Sequence, residues 1–149
     1  MKCTTVSYLS VLYSKKENGA AMMIRPLLHK TKGQIEAEIS DALTKFEKEH
    51  MGRGPLETKT YILEDMVIVR FRGVLTRSEL ALAKSDKNSR ARELIKLVRI
   101  ELIENGRDEL EDKIRSLTRR RVRSLHTDIS TATGEKVVIF TLDRPIEFD

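Results

Sequence analysis

Apolar residues recur at helical spacing in the first third of the chain, along a stripe that stops before a glycine and a proline. The stripe consists of Ile35, Ile39, Ala42, Leu43 and Phe46. Thr31 and Gln34 precede it with the spacing of a capping box, in which each side chain bonds a free backbone N–H of the first turn. Gly52 can take the left-handed conformation that ends a helix. The pattern therefore predicts a helix over about 32–50.

A longer apolar stripe follows a polar turn. It consists of Ala91, Leu94, Ile95, Val98, Leu102 and Ile103. We expect this stripe to be buried, so Asp in place of Leu94 is expected to unfold the domain. Gly106 predicts the end of the helix, and a further helical stretch follows; whether these are two helices or one bent helix stays open. A shorter helix precedes both, from a second capping box at Thr76 and Glu79 to about Ala83.

Runs rich in β-forming residues predict four strands, and the run 66–72 also has the period of two of a half-buried strand. The runs 58–63 and 66–72 are separated by two residues, as in a tight hairpin, and the runs 121–129 and 136–142 flank a glycine-bearing turn. Val69 is assigned to the buried face of the second run. The order α-β-β-α-α-β-β favours an α+β fold: a four-stranded, mainly antiparallel sheet made of two hairpins, with helices packed on one face.

Composition limits the class of protein. The chain has 149 residues, of which 40% are hydrophobic, so one folded domain fits better than a disordered polymer. Its single cysteine excludes an internal disulfide and a cysteine-based zinc site. No run approaches the ~20 apolar residues that span a bilayer, so we do not expect the chain itself to be a channel or a pump.

The net charge of +5 is concentrated near the amino terminus. Residues 1–30 hold five basic residues and one acidic residue, a net charge of +4, which leaves +1 for the remainder. Because a nucleic-acid-binding protein usually carries its positive excess on the whole folded unit, this distribution argues against nucleic acid as a partner. We divide the chain into a leader over 1–30, a domain over 31–143 and a carboxy-terminal tail over 144–149. The leader is expected to be disordered, or in part an artefact of the assigned start.

Two basic segments are candidates for binding an anion. The loop 52–55 holds Arg53 between two glycines, but it follows a helix and lacks the Gly-Lys-Ser/Thr ending of a phosphate loop. The run 119–123 ends a predicted helix whose first turns are acidic, an order that the helix dipole favours. We interpret both as helix-ending or solvated segments. The alternatives are a surface for anionic lipid or an acidic partner and, for the run 119–123, nucleic acid.

The segment 126–131 is the part of the sequence that most resembles an active site. On a strand, His126 and Asp128 share one face with Cβ atoms about 7 Å apart, close enough to flank a ligand or a proton. No other histidine lies at ligand spacing for a metal, and the strained turn of a hydrolase nucleophile is missing. Asp, Ser and Thr before a hairpin more often bond the turn backbone, so we favour that role over a ligand site or catalysis. We expect no catalytic residue, cofactor or metal.

Three segments of the chain form a recognisable combination. They are Phe46-x-Lys48-Glu49-x-Met51-Gly52-Arg53-Gly54-Pro55, then Asp65-Met66-Val67-Ile68-Val69-Arg70 with Gly73-Val74-Leu75-Thr76-x-x-Glu79, then His126-Thr127-Asp128-Ile129-Ser130-Thr131-x-Thr133-Gly134-Glu135. In this order they resemble the MpsC domain family, named for a sodium-translocating, membrane-potential-generating bacterial system. The resemblance covers about residues 31–143.

The resemblance implies a small bacterial protein that acts beside integral membrane components of an ion-handling complex, and it supplies no catalytic residues. We expect a cytoplasmic, non-enzymatic accessory or regulatory component, peripheral at the inner face of the membrane. Its expected partners are integral membrane proteins, an anionic lipid surface and further copies of itself. The alternative is a nucleic-acid-binding or small-ligand-sensing module that uses the run 119–123. The candidate interaction surface consists of Arg53, Arg121, Arg123, His126, Asp128 and Thr131.

Overall fold

The computed structural model describes residues 30–85 and 89–149, so nearly all of the predicted leader lies outside the described residues. The elements are α1 (Lys32–Met51), β1 (Glu57–Leu63), β2 (Met66–Arg72), α2 (Arg77–Ala83), α3 (Ser89–Asn105), α4 (Arg107–Thr118), β3 (Val122–Ile129) and β4 (Lys136–Leu142). Contacts define one compact unit over Gly33–Glu147. Apart from the first residue of α1, every element belongs to the unit Gly33–Glu147.

The four strands form one antiparallel sheet in the order β1-β2-β4-β3. β1 and β2 make the first hairpin, in which Leu63 is opposite Met66, and β3 and β4 make the second. The two hairpins meet at the centre of the sheet, where Val69 of β2 is opposite Val138 of β4. The predicted α+β fold with a four-stranded sheet of two hairpins is therefore confirmed.

The two faces of the sheet have different surroundings. Apolar residues of the inner face pack with apolar residues of the helices in one core cluster. The residues of β4 that point to this inner face are Lys136, Val138, Phe140 and Leu142. On the outer face, Val137 and Ile139 are half-buried, while Tyr61 and Leu63 are exposed. Helices thus cover the inner face, which holds the fully buried positions of both central strands.

Helix α3 buries only part of the stripe that its apolar pattern predicts: Ala91, Ile95 and Ile103 are buried, but Leu94 and Val98 are not. Leu94 and Val98 are 52% and 53% exposed, whereas Ile95, Arg99 and Ile103 are buried. The buried face includes Arg99. A rule that requires apolar residues throughout a buried stripe leaves Arg99 out and assigns Leu94 and Val98 to the core instead. The prediction that Asp in place of Leu94 unfolds the domain is wrong, because that side chain does not lie in the core.

The junction at Gly106 separates two helices. α3 ends at Asn105 and α4 begins at Arg107. A Cβ atom at Gly106 would lie 2.3 Å from Cζ of the Phe46 ring on α1. Only glycine permits such a close approach, so the lack of a side chain at Gly106 lets the junction pack directly on the Phe46 ring of α1.

Candidate functional site

The basic run after α4 divides into residues with different roles. Arg119 ends the helix in the left-handed region, with φ at 60°, and its N–H donates to the carbonyl of Arg115. The Arg120 side chain is nearly buried and donates from Nε to the carbonyl of Pro145 at 2.8 Å. Arg120 also lies 3.6 Å from a carboxylate oxygen of Glu147. Arg120 therefore holds the segment after β4 against the domain, which the sequence alone does not indicate.

Arg121 and Arg123 are the exposed members of the run at the start of β3. The register of β3 against β4 shifts between Val122 and Ser124, which marks a bulge at Arg123. Both arginines line a depression of about 340 Å³ together with Val122 and Asp143. We call Arg121 and Arg123 the arginine pair. Within residues 30–85 and 89–149, neither guanidinium makes a hydrogen bond or an ion pair, so both are available to an anionic partner.

Asp143 gives the depression a fixed backbone geometry. Its Oδ1 accepts a hydrogen bond from the N–H of Arg121 at 3.1 Å, and its own N–H donates to the carbonyl of Arg121 at 2.9 Å. These two bonds tie the end of β4 to the residue before β3. The positions of the arginine backbones are thus set by the hairpin, while their side chains extend into solvent.

Arg53 has internal partners. Its guanidinium donates to the carbonyl of Gly73 at 2.9 Å and to the carbonyl of Leu75 at 3.2 Å. The side chain therefore ties the loop after α1 to the loop after β2. Its predicted role in an interaction surface stays a prediction, but these two N–H donors already bond carbonyls of the domain.

His126 and Asp128 share one face of strand β3, as the alternation predicts; it is the outer face, and β3 is an edge strand. They border a depression of about 220 Å³ with Thr127, Val137 and Ile139. Asp128 Oδ1 accepts from the N–H of Ile129 at 2.8 Å and from Lys96 Nζ at 3.1 Å. These two bonds, the backbone bond first, lower the pKa of the Asp128 carboxyl. The carboxylate is thus already engaged, while the His126 ring is exposed.

The remainder of segment 126–131 leads into the turn of the second hairpin, where Thr131 is half-buried. Ser130 Oγ accepts from the N–H of Thr133 at 3.3 Å, and Thr133 Oγ1 accepts from the N–H of Glu135 at 3.2 Å. Such bonds are typical of hydroxyl side chains in turns, so they support the turn role that we favoured for this segment. Among the described residues, no group of three His, Cys, Asp or Glu side chains could hold a metal ion.

Sequence reasoning missed an ion pair in the core. Lys136 on β4 and Glu47 on α1 are each 2% exposed, and Lys136 Nζ donates to Glu47 Oε1. The ammonium also lies 5.5 Å from the centroid of the Phe71 ring. Burial lowers the pKa of Lys136, although the charge of Glu47 acts in the opposite direction. The sequence does hold a signal for this burial. Lys136 alternates in phase with three apolar residues of the same strand, all of them buried, so its side chain points to the same face as theirs.

A second buried cation, Arg99 on α3, lies opposite the cap of α2. Its Nε and Nη2 donate to Oε1 and Oε2 of Glu79 at 3.1 and 2.7 Å, and Nη2 also donates to the carbonyl of Val74 at 3.1 Å. Glu79 accepts in turn from the N–H of Thr76 at 2.7 Å, which completes the predicted capping box. Burial tends to raise the pKa of Glu79, but the bonds and charge from Arg99 and the bonds from Thr76 together hold that pKa below its ordinary value.

These residues define the class of protein: a small α+β domain with an open sheet, whose candidate site is an arginine-bearing surface depression. The profile of the family described as "Na+-translocating membrane potential-generating system (MpsC)" matches residues 31–144, and the chain belongs to this family. The resemblance noted in the sequence is thereby confirmed. No helix of the described part of the chain is long and apolar enough to cross a membrane.

Two relatives come from Bacillus subtilis strain 168. The chain is 42% identical over 120 residues to the uncharacterized protein YbcI, a match that covers 80% of this chain and 94% of YbcI. It is 27% identical over 111 residues to the uncharacterized protein YrhF, over 74% of this chain and 88% of YrhF. No solved structure matches the chain.

Proposed function

We propose that this protein is an accessory or regulatory component of a bacterial membrane-potential-generating system, which binds a membrane-embedded partner from the cytoplasmic side and does not itself carry the ion. The observation that carries the proposal is the family match over residues 31–144. The arginine pair supplies the surface for it, because two exposed guanidinium groups that have no partner among the described residues favour an acidic contact.

The contact is electrostatic in kind. Arginine binds carboxylates through paired N–H donors, so acidic loops of an integral membrane protein fit the arginine pair. An anionic leaflet adds about 1 kcal/mol for each basic residue close to its surface. Both contributions weaken as salt shortens the reach of the charges. Binding to membranes is therefore expected to decrease with ionic strength.

The test is sedimentation of the full chain with membranes of its native host, at low and at high salt. The double variant Arg121→Gln/Arg123→Gln is expected to sediment less than wild type at low salt and to lose most of its remaining binding at high salt. Its melting temperature is expected to stay nearly unchanged, because both side chains are exposed. The matched control is Arg77→Gln/Arg115→Gln, which removes the same charge from two other exposed positions.

Protein-free vesicles separate the two sources of negative charge. Binding to native membranes, together with weak binding to vesicles that contain anionic phospholipid, would assign the arginine pair to a membrane protein. Equal binding to both would assign it to the lipid. Equal sedimentation of wild type and the arginine-pair variant in native membranes would contradict the proposal. Retention of wild type on a polynucleotide column, lost in the same variant, would support the nucleic-acid alternative instead.

A further inference from the structure

Four exposed apolar side chains lie together on helices α2 and α3. Leu82, Leu94, Leu97 and Val98 are each 51% to 53% exposed. They account for half of the eight large hydrophobic residues that are exposed among those the structure describes. Leu82, Leu94 and Val98 also line a groove of about 390 Å³ between the two helices. A contiguous apolar surface of this kind marks an interaction site more often than scattered exposed residues do.

The exposed stripe of α3 has a charge of opposite sign at each end. Arg90 lies one turn before Leu94, and Glu101 lies one turn after Leu97. Arg90 and Glu101 are eleven residues apart, which is about three helical turns, so they lie on the same side of the helix as the leucines. Neither side chain has an ion-pair partner within the described ranges.

The order of these four residues is symmetric. The midpoint between Arg90 and Glu101 coincides with the midpoint between Leu94 and Leu97. An antiparallel helix of the same sequence, in a single register, therefore places Leu94 against Leu97 and Arg90 against Glu101, twice. A parallel copy would bring each charge near its own like charge. The stripe thus has the self-complementarity that a twofold interface requires.

We propose that α3 forms the interface of a homodimer, in which a second copy of this chain packs antiparallel along Leu94, Leu97 and Val98 with Leu82 at the edge. Two reciprocal ion pairs, Arg90 with Glu101 of the second copy, close its ends. The contact is built on one helix and part of another, so it belongs to the smaller class of interfaces. The dimer is therefore expected to dissociate on dilution. This inference is independent of the membrane partner, because it concerns purified protein alone.

The first measurement is sedimentation velocity on the purified full chain over a range of concentrations. Wild type is expected to change from monomer to dimer as concentration rises. Leu94→Asp is expected to remain monomeric at every concentration and to keep the melting temperature of the wild-type monomer, because the residue is outside the core. A wild type that stays monomeric, or a Leu94→Asp variant that dimerises like wild type, would overturn the proposal.

Charge reversal tests the register. Arg90→Glu and Glu101→Arg each place like charges opposite one another at both ends, and each is expected to weaken the dimer about tenfold. The double variant Arg90→Glu/Glu101→Arg restores opposite charges and is expected to dimerise like wild type. An equimolar mixture of the two single variants is expected to form a heterodimer. Lys45→Glu on α1 is the control for the change of net charge.

The charge-reversal variants also distinguish a second copy of this chain from other occupants of the groove. If α3 instead receives a helix of an unrelated protein or another segment of this chain, the mixture of single variants has no reason to associate. Failure of both the double variant and the mixture to restore the dimer would therefore overturn the proposed antiparallel pairing.

Discussion

Two regions of this molecule reverse the usual relation between polarity and burial. Between α1 and the inner face of the sheet, Glu47 and Lys136 are almost completely buried. On the outer side of α3, Leu94 and Leu97 are more than half exposed. The buried charges have each other as partners, whereas the exposed leucines have no partner among the described residues. The comparison shows that the partner available to a side chain, and not its own hydropathy alone, decides where it lies.

The largest loss of stability is expected from a charge placed at an apolar residue that is also buried. Val69 is fully buried at the centre of the sheet, so Val69→Asp places an unpaired charge in the core and is expected to abolish folding. Leu94→Asp, the same kind of change on the exposed stripe, is expected to alter the stability of the monomer by less than about 1 kcal/mol. Circular dichroism and thermal melting at low concentration measure both. Similar melting curves for the two variants would contradict the assignment of the two faces.

The buried ion pair is expected to give the next largest effect. Lys136→Met leaves the Glu47 carboxylate buried without its partner, at a cost of about 3–5 kcal/mol of unfolding free energy. The double variant Glu47→Leu/Lys136→Met removes both charges and is expected to regain most of that loss. Urea unfolding at neutral pH measures all three proteins. A double variant as unstable as Lys136→Met would show that the two side chains do not act as a pair.

The pH dependence of stability tests the partly buried ion pair of Arg99 and Glu79. The folded-state pKa of Glu79 lies below the ordinary value of 4.5, so its contribution to stability is complete above that value and is lost as pH falls through the folded pKa. Glu79→Gln is expected to cost on the order of 2 kcal/mol at neutral pH and to flatten the acid limb of the stability curve. Parallel acid limbs for wild type and variant would contradict this account.

The smallest change in stability is expected at a position where the backbone conformation decides which residue fits. Charge and apolar character play no part there. Arg119 ends α4 with φ at 60°, a conformation that costs energy for any residue with a Cβ. Arg119→Gly is expected to raise the unfolding free energy by roughly 0.5–1 kcal/mol. Arg119→Ala removes the same charge but keeps the Cβ, so it is the matched control. Equal stabilisation by Ala and Gly would assign the effect to charge.

Most of the fold follows from local signals. The capping box at Thr76 and Glu79, the glycine at the end of α1 and the two-residue gap between β1 and β2 each act over a few residues, and each is present as predicted. The central pairing of β2 with β4 is different. It joins distant segments, so no local pattern specifies which strands become neighbours.

The candidate site was predictable in part. Arg121 and Arg123 are exposed as their polar context indicates, but Arg53 bonds two carbonyls that lie 20 and 22 residues away in sequence. Sequence spacing carries no information on such contacts. The same reason applies to α3: Arg99 counts as a surface residue by its charge, and only the position of Glu79 on another helix makes it a core residue.

The central strand pairing has a consequence for the order in which the chain folds. Val69 and Val138 lie opposite each other although helices α2, α3 and α4 separate them in sequence. Each hairpin closes a short loop and can form within microseconds, whereas joining the hairpins closes a loop of about seventy residues. We expect this joining to limit the refolding rate, so Val138→Ala should slow refolding as well as lower stability. A refolding rate unchanged in stopped-flow experiments would place the joining of the hairpins after the slowest step.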